Sequence, residues 1–586
     1  MRVKNNLARV SGMAKKCNIK EKNLLWLKKY PAGLTWDLAI PSQPLYKLLD
    51  DAVEQFSENN CIDFLGKKYT YRDIGDLVDK TAKGLQKSGV KKNMRVGIFM
   101  PNTPYYIIFY FAILKAGGIV VNFNPLYVAP EIRNQINDSG TEIMITLDLH
   151  VLFVKVHEQL HETSLKKMII CPFREILPFP KNILFFLFKK KEQAMIPSDP
   201  DIILFDSLIQ NDGMPQHHSI VPEKDIAVIQ YTGGTTGIPK GAMLSHQNVY
   251  SNTLQCAHWF SPSVEQGHEK ILAALPFFHV FAMTVVMNLS LRVGGEIVMM
   301  FPRFTVEETI RLINKHKITC LPAVPTIYSL INTYKNNARY NLRSLKACIC
   351  GGAPLPLEIK KEFERLTSAI LIEGYGLSEA SPVVSANPLQ NKSKPGSIGF
   401  PFPQTYIKIM SLKDKTREVP LGEKGELAVQ GPQVMLGYWN RPKETEDVIQ
   451  NGLLYTGDVG YMDEDGYVFL VDRIKDVVIV NGYNVYPRIV EEAIYQHPSV
   501  EEVTVIGTPD LQRGEAVKAF VKLRSGMPLT AEELNIFLQN KLSPIEMPKQ
   551  IEFRDSLPKS MIGKLSKKEL IAEEKTKINE IISTEK

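Results

Sequence analysis

The stretch Tyr231-Thr232-Gly233-Gly234-Thr235-Thr236-Gly237-Ile238-Pro239-Lys240-Gly241 concentrates glycine, hydroxyl and one lysine as no other part of the chain does. These residue types suit an anion with many oxygens. Gly233, Gly234 and Gly237 can adopt positive φ and turn backbone N–H groups onto one point, while Thr232, Thr235 and Thr236 add hydroxyl donors and Lys240 a point charge. The apolar run Ile226–Ile229 precedes the loop, as it should at a strand end. The nucleoside-triphosphatase loop needs a glycine before its lysine and Ser or Thr after it. Here Pro239 and Gly241 flank Lys240, which excludes that pattern. A plain surface turn would scatter its polar residues rather than interleave three threonines with three glycines.

Other strand ends carry chemistry too. Leu275-Pro276-Phe277-Phe278-His279-Val280-Phe281 sets one histidine among aromatics. A lone histidine in apolar surroundings is more often a satisfied core residue than a functional one, but the nearby phosphate loop favours function. Ala347–Ile349 runs into Gly351-Gly352-Ala353-Pro354, and Leu371-Ile372 runs into Glu373-Gly374-Tyr375-Gly376-Leu377-Ser378-Glu379. A purine could stack on Tyr375, and Glu379 could hold Mg²⁺ with the phosphates. Asp458, in Tyr455-Thr456-Gly457-Asp458, would accept from ribose hydroxyls; a turn aspartate is the bland alternative. Lys564 follows Gly563 on a loop free to reach another surface.

The elements that must position these groups alternate. A helix is expected over Leu45–Phe56, a strand pair around Ile62–Tyr71, a helix over Tyr71–Ser88, a strand at Val96–Met100, a helix from Pro104 through Lys115, and a strand at Ile119–Asn122. Such alternation implies a largely parallel α/β sheet. At Val471-Asp472-Arg473-Ile474-Lys475-Asp476 the texture changes to short strands and helices, the pattern of a small α+β domain behind a charged linker. The expected organisation is a leader over 1–40, a large domain over 41–472, a hinge over 473–476 and a small mobile domain over 477–586.

With 586 residues the chain exceeds one core, and its net charge of +7 is uneven. Arg2, Lys4, Arg9, Lys15, Lys16, Lys20, Lys22, Lys28 and Lys29 face only Glu21, which suits an anionic membrane surface as well as it suits a solvated terminus. No apolar segment of a secretory signal follows. The run Ile183–Phe188, ahead of Lys189-Lys190-Lys191, is far short of the roughly 20 residues that cross a bilayer. It either dips into a membrane surface or forms a loop whose aromatics pack on the domain. Seven dispersed cysteines suggest a reducing compartment, with neither a disulfide framework nor a zinc site.

Taken in order, Tyr231–Gly241, Pro276–His279, Gly374–Glu379, Thr456–Asp458, Arg473–Asp476, Gly482–Pro487 and Pro558–Lys564 resemble the motif series of the adenylate-forming superfamily of acyl-CoA synthetases. Phe277–Met283 and Gly482–Pro487 look most like bacterial long-chain fatty-acid–CoA ligases. The resemblance implies an adenylate-forming α/β large domain with a small mobile α+β domain. It also implies ATP, Mg²⁺ and coenzyme A as reactants and cofactors. By resemblance Thr232 and Glu379 hold Mg²⁺, and Thr232, Gly233, Gly234, Thr235, Thr236, Gly237 and Lys240 embrace the triphosphate. Tyr375 covers the adenine, with Gly351, Gly352, Ala353, Pro354, Glu373, Gly374 and Gly376 as the rest of its pocket. Asp458 and Arg473 hold the ribose, Lys475 is the hinge, Lys564 bridges carboxylate and α-phosphate, and His279 borders the acyl site. Ile479 stands where some relatives carry lysine, so any help from that amine is absent.

The reaction so implied joins a long-chain fatty acid to coenzyme A by way of an acyl-adenylate. Medium-chain or aryl acids, transfer without coenzyme A, and a non-catalytic nucleotide-binding membrane scaffold remain as alternatives. A scaffold should have lost Lys564, Asp458 or Glu379, and all three are present. The expected location is the cytoplasm, with peripheral contact at the inner face of the plasma membrane. No nucleic-acid partner is expected, and a homodimer stays open beside a monomer.

Overall fold

The computed structural model describes residues 24–232, 239–302, 304–390, 393–481, 483–510, 513–559 and 564–584. Within these residues three sheets organise the chain. An 8-stranded sheet has parallel strands Arg95–Ile98, Ile119–Asn122, Ile143–Leu147, Lys167–Cys171 and Ile202–Leu204 at its heart. Ile226–Thr232 extends it in parallel, and Lys240–Ser245 then pairs back antiparallel. The intervening helices bury an apolar face. Tyr71–Lys87 starts on a reciprocal cap between Thr70 and Asp73 and buries Ile74, Val78 and Leu85. Pro104–Lys115 begins with proline in its first turn and is buried along nearly its whole length.

The second sheet has 14 strands and changes character partway across. Asn60–Phe64, Glu296–Met299, Lys270–Ala273, Cys320–Ala323, Ala347–Cys350 and Ile370–Gly376 run parallel. Beyond Ile370–Gly376 the strands turn antiparallel, through Val383–Ala386 and Ser397–Pro401 to Val468–Arg473 and Leu453–Met462. Parallel strands release their loops at one edge, and ligands bind at that edge where the topology switches. Gly351–Pro354 and Tyr375 lie there.

The small domain is a 5-stranded sheet with its own apolar core, including Val490, Ile494, Val505 and Leu534. Its short strands and helices include Val478–Val480, Pro487–Tyr495, Val500–Asp510, Gly514–Leu523 and Ala531–Leu538. A short 3-10 turn, Ile474–Asp476, joins it to the strand Val468–Arg473. Several contacts among the described residues tie the domains together across this joint. Asp472 Oδ2 accepts from the Arg488 N–H in the first turn of helix Pro487–Tyr495. Tyr486 packs with Val459 and Val471 of the large domain.

Two regions differ from the sequence reading. Part of the segment expected as a leader packs on the large domain: Trp26 is buried, Trp26 and Trp36 lie 5.5 Å apart, and Tyr30 meets Trp259 edge-on. Residues 1–23, which hold most of the leader's basic side chains, lie outside the described residues. The run Ile183–Phe188 is a helix, Lys181–Phe188, in which only Phe185 leans on the core. Among the described residues no helix is long and apolar enough to cross a membrane.

Candidate active site

Thr232 and Lys240 are cross-strand partners at the mouth of the phosphate loop, so the hydroxyl and the ammonium flank whatever the loop holds. Gly233, Gly234, Thr235, Thr236 and Gly237 lie outside the described residues. The hairpin requires Gly241, because a Cβ there would come within 2.7 Å of Ile229 Cγ2. Its orientation is fixed from outside the motif. The Tyr231 hydroxyl donates to Asp138 Oδ2 at 2.6 Å, and Arg441 donates to Asp138 Oδ1 at 3.1 Å.

Gly437–Tyr438 pairs with the outer strand of that hairpin and places Tyr438 between two expected site residues. Its ring lies beneath Lys240, with Nζ 5.2 Å from the centroid, and its hydroxyl donates to Glu379 Oε1 at 2.7 Å. The Met435 N–H closes on the Glu379 carbonyl at 2.8 Å. Glu379 and Thr232 thus offer a carboxylate and a hydroxyl on elements that pack together, the 3-10 turn Ser378–Ala380 and the strand Ile226–Thr232. Such oxygen donors fit a hard divalent cation such as Mg²⁺.

At the switch in strand direction, Gly352 adopts φ +80°, and a Cβ on Gly376 would stand 2.3 Å from the Pro382 carbonyl oxygen. Gly374 lies against Ile349, and Gly351 beside Phe281. Tyr375 donates its hydroxyl to Asp458 Oδ2 at 2.6 Å, and Arg473 Nε meets Asp458 Oδ1 at 3.2 Å. Asp458 and Arg473 face each other across neighbouring strands, so the backbone itself sets this pairing. Burial, reinforced by the Asp458 charge, pushes the Tyr375 phenol well above its usual range and keeps it a donor.

Glu373 lies against the end of the Gly351–Pro354 turn and also reaches toward the small domain. Its Oε1 accepts from the Leu355 N–H at 3.4 Å and faces Arg488 of the small domain at 3.9 Å. Burial raises this carboxyl to about 7, although Arg488 pulls the other way. Ala353 and Pro354 lie in the same turn, just before Leu355.

Lys564 comes from the small domain. Lys559 and Leu565 form a bridge, and the Ser566 N–H donates to the Pro558 carbonyl, so the base of the hairpin is pinned; residues 560–563 lie outside the described set. Burial pulls the Lys564 ammonium down to about 8, with Arg473 adding to the fall and Asp458 and Asp476 opposing it. Lys564 also faces His279, whose imidazole is brought down to about 4, chiefly by burial, and is neutral near pH 7. His279 Nδ1 accepts from the Phe281 N–H at 3.3 Å. Lys475 sits in the joint, where burial lowers its ammonium below the usual lysine range.

The turn Pro276–His279 is held by residues that carried no sequence motif. Asn102 donates to the Leu275 carbonyl and accepts from the Phe277 N–H. Tyr106 donates to Asn122, Asn122 to Gln230, and Gln230 to the Phe278 carbonyl. This buried relay ties the turn to the phosphate strand. The only sequence signal is a polar residue interrupting each apolar strand, Asn122 in one and Gln230 in the other. After the turn, the chain forms a buried π-helical stretch, Ala282–Asn288, a form that often marks functional sites. Behind it lies an apolar cavity lined by Ile271, Val285, Leu289, Cys320, Ala347 and Ile349.

Two family profiles agree with this division into a large and a small domain. The AMP-binding enzyme profile matches residues 49–439, and the AMP-binding enzyme C-terminal domain profile matches 489–564. The chain belongs to the AMP-binding enzyme family. Among curated relatives it is 45% identical over 553 residues to the long-chain-fatty-acid–CoA ligase of Bacillus subtilis (strain 168), covering 94% of this chain and 98% of that protein. It is 36% identical to the protein of the same name from Escherichia coli O6:H1, over 95% and 99% of the two chains. Among solved structures, ATP-bound MatB from Rhodopseudomonas palustris matches with a TM-score of 0.79 at 26% identity, over 90% of this chain and 98% of that one.

Proposed function

We propose that the protein activates long-chain fatty acids with ATP and transfers them to coenzyme A, working as a peripheral protein on the cytoplasmic face of the plasma membrane. The observation that carries this reading is the convergence, between strand ends of the two large sheets, of the Thr232–Lys240 hairpin, the Tyr375–Asp458–Arg473 cluster and the small-domain Lys564 beside His279. The close likeness to two long-chain-fatty-acid–CoA ligases supports the acyl class.

In this reading the fatty carboxylate oxygen attacks the α-phosphorus of ATP and the bond to pyrophosphate breaks. Two anions must approach, and Lys564 lowers the barrier by neutralising charge that is largest in the transition state. The phosphate loop, from Thr232 to Lys240, receives the departing pyrophosphate, and Asp458 and Arg473 fix the ribose while Tyr375 stays beside the base. Thr232 and Glu379 would hold Mg²⁺, which supplies charge neutralisation on phosphate oxygens. The coenzyme A thiol then attacks the acyl carbonyl and AMP leaves. His279 is neutral, so it borders the acyl group without a second cation beside Lys564. Turning of the small domain about Lys475 would exchange Lys564 for the thiol between the two steps.

ATP–pyrophosphate exchange across acids of graded length tests this reading. Exchange rising to a maximum with long-chain acids, followed by AMP release on addition of coenzyme A, is the expected result. Exchange with aryl acids alone, or thioester formation that ignores coenzyme A, would overturn it.

A further inference from the structure

The helix Lys181–Phe188 has no buried residue. Ile183, Leu184, Phe186, Leu187 and Phe188 are all exposed, Phe188 at 77%. It is nevertheless a held surface. Phe185 turns inward and meets Phe173 edge-on at 5.2 Å, and Phe173 stacks on Phe301 at 4.8 Å. Lys181 Nζ donates to the Leu65 carbonyl at 2.9 Å, and the Arg174 guanidinium covers the Phe186 ring at 4.7 Å. The anchored helix therefore presents apolar side chains outward by construction.

Charge surrounds this face unevenly. Lys189, Lys190 and Lys191 follow it directly, with Lys181 at its start and Lys67 near the same edge. Glu175, Glu192 and Asp148 are nearby acids; Glu192 is already paired with Lys189, and Asp148 accepts from Phe173 N–H and Gln193. Position adds a further argument. Phe173 and Phe301 follow the strands Lys167–Cys171 and Glu296–Met299, and Glu296–Met299 runs parallel to Lys270–Ala273, which leads to His279. The face lies at the same edge of the sheet as the proposed acyl side of the active site.

We propose that this helix is a docking face for an anionic lipid bilayer, its phenylalanines and leucines entering the acyl boundary while the lysines meet headgroup phosphates. The proposal rests on the fatty-acid reading, because a bilayer is where a long-chain acid resides. The charge argues against a second copy of the chain as occupant, since two copies would bring their lysine triplets together.

Vesicle flotation tests it with phosphatidylcholine alone and with one third phosphatidylglycerol. The parent should bind the anionic vesicles strongly and the neutral ones weakly, and binding should fall with salt. The triple variants Phe186→Ser/Leu187→Ser/Phe188→Ser and Lys189→Glu/Lys190→Glu/Lys191→Glu should each lose roughly a hundredfold in partitioning. Both should keep ATP–pyrophosphate exchange on detergent-dispersed acid. Undiminished vesicle binding by both variants overturns the docking face. So does a dimer, seen by sedimentation, that the serine variant breaks while vesicle binding persists. Should the serine variant misfold, the glutamate variant decides, because it removes no packing. Failure of exchange in the parent would sink the fatty-acid reading and leave the binding result standing.

Discussion

The two halves of the candidate active site are built in opposite ways. On the large domain each functional group is paired by its own neighbours: Tyr438 with Glu379, Tyr375 and Arg473 with Asp458, Tyr231 and Arg441 with Asp138. These pairs lie between adjacent strands or on neighbouring elements and exist before any substrate arrives. The small domain contributes Lys564, a cation that burial disfavours, and Arg488, whose Nε donates to Glu492 of its own helix at 2.9 Å. Lys564 is pulled down to about 8, and Arg488 meets Glu373 at 3.9 Å, beyond hydrogen-bond length. The first half is preorganised and permanent. The second reaches the site from another domain, and in the proposed two-step reaction it would turn away between the steps.

The contrast breaks most visibly at Lys564. Lys564→Ala should cost roughly 10² to 10³ in adenylation measured by ATP–pyrophosphate exchange, while supplied acyl-adenylate still yields thioester. Equal losses in both steps would mean that Lys564 belongs to the permanent half.

The same lysine sets a pH limit. A depressed lysine is charged below its pKa and neutral above it, and the charged form is the useful one. The adenylation rate constant kcat/KM should therefore be flat below about pH 8 and fall about tenfold per unit above it. In kcat the fall should come at higher pH, because bound carboxylate and phosphates favour the ammonium. A profile flat to pH 10 would show another group carrying the charge.

A smaller effect probes the permanent half. Tyr438→Phe keeps the ring under Lys240 but removes the donor to Glu379, and should lower kcat/KM for ATP by about tenfold without changing thioester formation from supplied adenylate. The smallest concerns Glu373→Gln. Burial outweighs the pull of Arg488 on this carboxyl, so removing its charge should change adenylation less than about threefold. A loss as large as that of Lys564→Ala would make this pair part of the reaction's machinery.

Much of the candidate site was legible in the sequence because its residues break the grammar of a core. Glycine beside threonine and lysine, histidine after paired phenylalanines, and tyrosine between glycines have little reason to occur for packing alone. Their supports were not legible. Asp138 sits within the helix Ala129–Ser139 like any surface aspartate, and only the fold brings it to Tyr231 and Arg441. Tyr438 reads as an ordinary strand residue until its strand is seen beside Lys240–Ser245. Glu373 lies inside a motif, yet its partner Arg488 belongs to the other domain, a pairing no local spacing encodes. The parallel strands were readable from their apolar runs and glycine ends. The antiparallel part of the large sheet was not, since its order follows long-range pairing. The run Ile183–Phe188 was too short for its period to separate helix from loop.

The cap that Asp472 places on the helix Pro487–Tyr495 has a consequence for how domain motion could be watched. Asp472 precedes the joint and the capped Arg488 amide follows it, so any turn about residues 473–476 must part them. A helix then loses an N-terminal cap, worth about 0.5–2 kcal/mol, and the donor passes to water. In the proposed turn this loss adds to the separation of Tyr486 from Val459 and Val471, and it would leave a trace on one proton. The Arg488 amide is shielded from deuterium only while the domains are closed, which makes its exchange rate a clock for their opening.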